Sequence, residues 1–204
     1  MRTARGMAER RQAILDGAFT VFARRGYAQA CVKEIAQEAG VAKPTVYNHL
    51  DDKESLYREA VEAVAERIGA RGVAVVERLR GAAADADPHA ALTAVARELL
   101  EVFGAADALA VRQLAWAQAA QFPDLATGVR ERTTLRVRSA LADRLARLSL
   151  DGRLGRCDPD LAAEHFLSLV TGSLEYRPGP GRVPETAAAD ADAAVGVFLR
   201  AYGG

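Results

Sequence analysis

Residues 32–50 read VKEIAQEAGVAKPTVYNHL. Val32, Ile35, Ala36 and Ala39 recur at helical spacing, and Gly40 stops the pattern as a C-terminal glycine does. Pro44 then suits the first turn of a second helix, in which Val46 and Leu50 stand four apart on one side. Two short helices joined by the tight turn Gly40-Val41-Ala42 form a helix-turn-helix. At about 100° per residue, Asn48 lies nearly opposite Val46 and Leu50, with Pro44 and Thr45 beside it and Tyr47 and His49 on the flanks. A helix in a DNA major groove needs this division, with short polar groups at the base edges and longer donors near the phosphates. Shortness helps, since only the first turns of such a helix enter the groove. Lys43 and Lys53 bracket the second helix with positive charge. Asp52-Lys53 opens the next helix, whose N–H groups can also face phosphate.

Working outward, Ile14, Leu15, Ala18, Phe19 and Phe22 predict a helix over 8–25, ended by Gly26. Residues 1–7 lack periodicity and predict a flexible arm. Arg2, Arg5, Arg10 and Arg11 read equally as solvated charges or as an arm entering a minor groove. Beyond the motif, Asp51-Asp52 caps a helix over 51–79, with Gly69 and Gly72 as points of bending. A small polar loop over 81–87 precedes a helix opened by Pro88 and striped by Leu92, Val95, Leu99 and Phe103. A helix over 107–120 is read with Leu109, Gln113, Trp116 and Ala120 on one face. Pro123 opens a long helix to 148, broken by Asp151-Gly152. Helices over 159–174 and 184–202 flank the loop Arg177-Pro178-Gly179-Pro180-Gly181. No stretch alternates as a strand does. The fold class is therefore all-α, with about nine helices: a DNA-binding helix-turn-helix domain over 1–50 and a larger helical domain over 51–204.

Half of the 204 residues are apolar, so a substantial core can form, and only 6% are aromatic. Net charge is zero, but residues 1–58 carry 10 Lys/Arg against 7 Asp/Glu. A basic front end suits a polyanionic partner. Cys31 and Cys157 are too few for a disulfide framework and lack metal spacing, which points to a reducing compartment. No apolar run approaches a membrane span, and no signal peptide is read, so a cytoplasmic location is expected. No metal or cofactor is expected. Paired carboxylates, a phosphate loop or a nucleophile–base pair are all lacking, which argues against an enzyme.

The segments AILDGAFTVFARRGY (13–27), VKEIAQEAGVAKPTVYNHL (32–50) and DDKESLY (51–57) resemble, in order and spacing, the TetR/AcrR family of bacterial transcriptional regulators. AAQFPDLA (119–126) is similar to a phenylalanine-proline-acid-leucine opening found in many members. Where the family often has a phosphate-touching Thr before the first motif helix, this chain has Ala30 and Cys31. The resemblance implies that Lys43, Thr45 and Asn48 reach bases or adjoining backbone, that Tyr47, His49 and Lys53 hold phosphates, and that Lys33 lies over neighbouring backbone. It further implies a repressor that binds a palindromic operator in double-stranded DNA as a homodimer, through the helices over 159–174 and 184–202. There Ala188, Ala191 and Ala194 permit close approach, and Phe198 and Tyr202 supply buried area. A small-molecule effector, apolar or aromatic, is implied for the second domain, with Phe103, Gln113, Trp116, Thr133 and His165 as candidate contacts. Gln113 and Thr133 interrupt apolar stripes, so each needs a polar partner, either a ligand or another helix.

Overall fold

The computed structural model describes residues 2–49, 52–81, 87–172, 174 and 184–203. Leu50, Asp51, residues 82–86 of the expected first loop, and the Arg177–Gly181 loop lie outside the described residues, as does the His49 side chain. The helices are α1 (Arg2–Gln29), α2 (Val32–Glu38), α3 (Lys43–His49), α4 (Lys53–Glu77), α5 (Pro88–Gly104), α6 (Ala106–Ala117), α7 (Pro123–Arg130), α8 (Arg136–Leu150), α9 (Pro159–Thr171) and α10 (Pro184–Tyr202). A 3-10 turn, Arg78–Gly81, ends α4, and a π-turn, Glu131–Leu135, joins α7 to α8. The chain is all-α among the described residues, as its patterning predicts. None of these helices is long and apolar enough to cross a membrane.

The chain packs as two units, one of Met1–Arg67 with Ala110–Arg130 and one of Ile68–Leu109 with Glu131–Gly204. The division expected after residue 50 falls at the end of α3. The packing division lies later, because the first half of α4 buries Leu56, Tyr57, Ala60 and Val61.

In the first unit, Phe22, Tyr27, Tyr57 and Phe122 make an aromatic cluster. Ring centroids are 4.9 Å apart for Phe22–Tyr57, 4.9 Å for Tyr27–Tyr57 and 5.3 Å for Tyr27–Phe122, all edge-on. Such pairs contribute ~0.5–1.5 kcal/mol each beyond area burial. The Tyr57 hydroxyl donates to the Leu114 carbonyl at 2.9 Å. Arg58 lies 4.7 Å over the Phe122 ring and pairs with Asp124 at 2.5 Å. The Phe122-Pro123-Asp124 segment thus has a structural explanation: the ring enters the core, proline opens α7, and the carboxylate holds α4.

Burial, with Tyr27 nearby, pushes the Tyr57 phenol up to about 12. From about pH 10 to about pH 12 the unfolded chain releases this proton while the folded chain keeps it, so stability falls as pH rises through that window. Tyr57→Phe should therefore show a shallower alkaline loss of stability. At neutral pH it should be less stable by ~0.5–1.5 kcal/mol, or more if the Leu114 carbonyl finds no new donor. Urea midpoints measured across pH check both.

The expected flexible arm is instead the start of α1, which is helical from Arg2. Its Ala, Arg, Met, Glu and Gln residues are good helix formers and need no apolar stripe to continue the helix. Gly26, with φ 73°, interrupts the helix where the sequence predicts a stop.

In the second unit α8 packs on α9, and α10 packs on α5 and α9. Gly69 and Gly72 were expected to bend α4 but are contact points. A Cβ on Gly69 would lie 1.8 Å from the Arg132 carbonyl oxygen in the π-turn, and one on Gly72 would lie 2.6 Å from Val137 Cγ2. Eight residues beyond Gly69, Glu77 accepts from the buried Arg144 guanidinium at 2.9 and 3.1 Å, fixing the end of α4 to α8. Phe198, Ala191 and Ala194, expected on an outer interface, are buried within their own chain. The Phe198 ring meets Phe166 edge-on at 5.2 Å. Tyr202 stacks on Phe198 at 4.8 Å. An apolar stripe in a sequence marks burial, and here it faces the helix's own bundle.

Candidate nucleic-acid interface

Helix α2 ends in a paired hydrogen-bond cap. Gly40, at φ 65°, donates to the Gln37 carbonyl at 3.2 Å, and Val41 donates to Ala36 at 3.0 Å. The left-handed turn that only glycine adopts freely redirects the chain into α3. Helix α2 is fixed to α1 at both of its ends. Gly17 brings α1 so close to α2 that a Cβ there would stand 2.9 Å from the Ala39 nitrogen. Arg24 and Arg25 of α1 bind Glu34 of α2 at 2.9 and 3.3 Å. The Arg24 guanidinium, with Arg25, holds the Glu34 carboxyl below its usual range. Cys31 precedes α2 without a side-chain cap.

Helix α3 has seven residues, and Val46 is its one fully buried described side chain. Lys43, Pro44, Tyr47 and Asn48 are exposed, and Thr45 is half-buried. Tyr47 remains 49% exposed, with Lys43 Nζ 5.8 Å from its ring centre. One side of α3 is therefore spent on the fold, and a row of short polar groups faces outward. Lys33 of α2 is exposed.

Lys53, at the start of α4, is held in place. Its Nζ donates to the Ala28 carbonyl at 3.1 Å and lies 4.8 Å over the Tyr27 ring. The pattern of charges gave no signal of this second role, which ties α4 to the link between α1 and α2. Asp52 Oδ1 accepts from the Ser55 amide at 2.7 Å, and this bond lowers the carboxyl's pKa. The first turn of α4 thus already receives a carboxylate.

The candidate ligand contacts are distributed differently from the sequence reading. Phe103 and Thr133 are buried in the second unit. Trp116 is 82% exposed, and Gln113 is also exposed; both belong to the first unit. Helix α6 buries Ala108, Val111, Leu114 and Ala115, which at about 100° per residue lie nearly opposite the expected face. Alanines on several sides of α6 gave the sequence no clear apolar stripe, and the hydrogen bond from Tyr57 to Leu114 fixes the register. His165 is exposed on α9, with Nδ1 2.6 Å from the Tyr202 hydroxyl. Among the described residues no group of three or more His, Cys, Asp and Glu is placed to hold a metal.

Comparison with known proteins adds to this geometry. The profile described as "Bacterial regulatory proteins, tetR family" matches residues 14–60, and that of the "AefR-like transcriptional repressor, C-terminal domain" matches 90–204. The chain is 31% identical over 186 residues to the HTH-type transcriptional repressor Rv1474c of Mycobacterium tuberculosis, covering 91% of each chain. Its fold is similar to that of a TetR-family transcriptional regulator from Mesorhizobium loti, with a TM-score of 0.86 and 29% identity over 97% of this chain and 98% of that one. It is also similar to the flavonoid-responsive regulator FrrA, with a TM-score of 0.66 and 25% identity over 96% and 98% of the two chains.

Proposed function

Because the chain belongs to the TetR family of bacterial transcriptional regulators, we propose that it is a repressor that binds a palindromic operator as a homodimer and is released by a small-molecule effector. Its main support is α3, a short helix with one residue in the core and its polar groups outward. In this reading Lys43, Thr45 and Asn48 meet base edges, Tyr47, His49 and Lys53 meet phosphates, and Lys33 lies over adjoining backbone. DNA reading belongs to residues 1–50, and effector binding and dimerisation to 51–204. Selection of duplexes from a random pool tests it. The expected outcome is a two-fold symmetric site whose half-sites lie about one helical turn, or a multiple of it, apart. Enrichment of no common sequence would overturn it.

One such helix reads few base pairs, so tight binding calls for two copies. Helices α9 and α10 support the pairing with side chains left outside: Leu161, Leu169 and Val197 are exposed, as are the small Ala188, Ala189 and Ala193. Deleting α10 would strip Val195 and Phe198 from the chain's own core. Leu169→Asp with Val197→Asp is the cleaner test. Sedimentation should give folded monomers with operator binding lost, whereas a dimeric variant would rule out this face.

For the effector, Phe103 and Thr133 are the supported contacts, being buried in the second unit. Gln113 and Trp116 lose the support that burial would lend, and His165 already meets Tyr202. The name of FrrA, a relative by fold and sequence, favours an apolar or aromatic effector. Release requires that the effector bind the DNA-incompetent state more tightly. By reciprocity, operator DNA then weakens effector binding by the same factor, typically about 5–150-fold.

A further inference from the structure

The second unit carries a groove between the end of α4 and α5 that neither the DNA-reading helices nor the candidate effector contacts use. Its volume is about 580 Å³, within the ~300–1,000 Å³ common for small-molecule sites. Leu79 of the 3-10 turn and Val95 of α5, both buried, form its apolar base. Ala91, Ala94 and Glu98 continue the α5 wall. Positions 91, 94, 95 and 98 are three and four apart, so α5 offers one continuous stripe. Ala91 and Ala94 keep that stripe low, and a large side chain at either would fill the space. The groove is separate from the π-turn that holds Thr133. That turn packs on Gly69, and Glu77 of the groove lies eight residues further along α4, about 12 Å at about 1.5 Å per residue.

The rim of the groove is charged and does not balance. Arg78 pairs with Glu98 at 2.5 Å. Glu77 is taken from behind by the buried Arg144, at 2.9 and 3.1 Å. Arg80 is left with the same Glu77 at 3.7 Å, beyond hydrogen-bond reach. Among the described residues, Arg78, Arg80 and Arg144 thus stand against Glu77 and Glu98, and the surplus positive charge is that of Arg80.

We propose that this groove binds a small amphipathic anion, a monocarboxylate with an apolar chain or ring. Its body lies on Leu79, Val95 and the two alanines, and its carboxylate on Arg80. Charge complementarity selects that occupant. A planar guanidinium matches a carboxylate through two parallel hydrogen bonds. A dicarboxylate or a phosphate would set its second charge against Glu77 and Glu98, and a fully hydrated ion would gain nothing from the apolar base. The occupant bridges the end of α4 to α5. The site stands apart from the DNA-binding reading and adds a ligand to it.

The test is calorimetric titration of the full chain with octanoate, and with octan-1-ol and octylammonium as probes of the same length without the negative charge. Two variants accompany the wild type. Arg80→Gln removes the surplus charge from an exposed side chain, and Ala94→Trp fills the groove from an exposed position. Thermal unfolding shows that each is folded. Octanoate should bind the wild type once, about tenfold more tightly than octan-1-ol, which is the low end for a hydrogen bond to a charged group. Octylammonium should bind more weakly than either. Arg80→Gln should bring octanoate down to the level of octan-1-ol and leave octan-1-ol unchanged. Ala94→Trp should abolish binding of both. The proposal is overturned if octanoate does not bind in the millimolar range, if octanoate and octan-1-ol bind the wild type alike, if Arg80→Gln changes nothing, or if folded Ala94→Trp still takes up octanoate.

Discussion

Gly69→Ala is expected to destabilise the second unit strongly, although alanine favours a helix over glycine by ~1 kcal/mol. The added methyl would sit 1.8 Å from the Arg132 carbonyl oxygen, well inside any van der Waals distance. A backbone carbonyl in a π-turn has no rotamer to change, so α4 or the turn must move. Overpacking in a well-filled interior costs typically ~1–3 kcal/mol and sometimes more, and a clash with backbone belongs at the upper end. Gly72→Ala meets a methyl of Val137 at 2.6 Å. That side chain is buried and stiff at χ1, but it can yield further than a peptide, so the cost should be smaller. Gly6→Ala, with nothing within 4 Å, should gain stability by up to ~1 kcal/mol. Urea or thermal unfolding of the three variants gives the order Gly6→Ala, Gly72→Ala, Gly69→Ala from most to least stable. A Gly69→Ala chain as stable as wild type would refute the close approach of α4 to the π-turn.

These glycines also show what a sequence can and cannot disclose. The helix-turn-helix was legible because its signals are local: Gly40 ends α2, Pro44 opens α3, and Val46 marks the buried side. Gly69 gave no such signal, since the group that excludes a side chain comes from Arg132, far along the chain. The aromatic cluster is non-local in the same way, joining Phe22, Tyr27, Tyr57 and Phe122 from separate segments. The face of α6 was misread because alanine marks neither inside nor outside, and Trp116 drew the assignment inward although the ring stands in solvent. Phe198 was correctly read as buried-type, but periodicity does not say whether the cover is the chain itself or a second copy. Lys53 looked like a pure surface cation because its acceptor, the Ala28 carbonyl, belongs to the backbone and leaves no trace in charge patterning.

Asn48→Ala and Lys53→Ala should separate base reading from phosphate holding. Asn48 is exposed on the outward side of α3, where its amide can both donate and accept at a base edge. A good base contact is worth about 1–3 kcal/mol, and a two-fold dimer makes it twice, so Asn48→Ala should lose about 2–6 kcal/mol on the preferred operator. At about 1.4 kcal/mol per tenfold, that is roughly 30-fold to 10⁴-fold. The loss should be confined to operators with the preferred base pair: on one altered at that position, variant and wild type should bind alike. Lys53→Ala should weaken all duplexes together and lower the salt slope by about 0.9 for each contact removed. Because Lys53 also bonds Ala28 and covers Tyr27, its variant loses some fold stability, which urea unfolding measures independently of DNA. Salt dependence then isolates the phosphate contact, since a merely less stable protein binds less at every salt concentration without a changed slope. The assignment of roles fails if Lys53→Ala changes which base pair is preferred while Asn48→Ala leaves the preference intact.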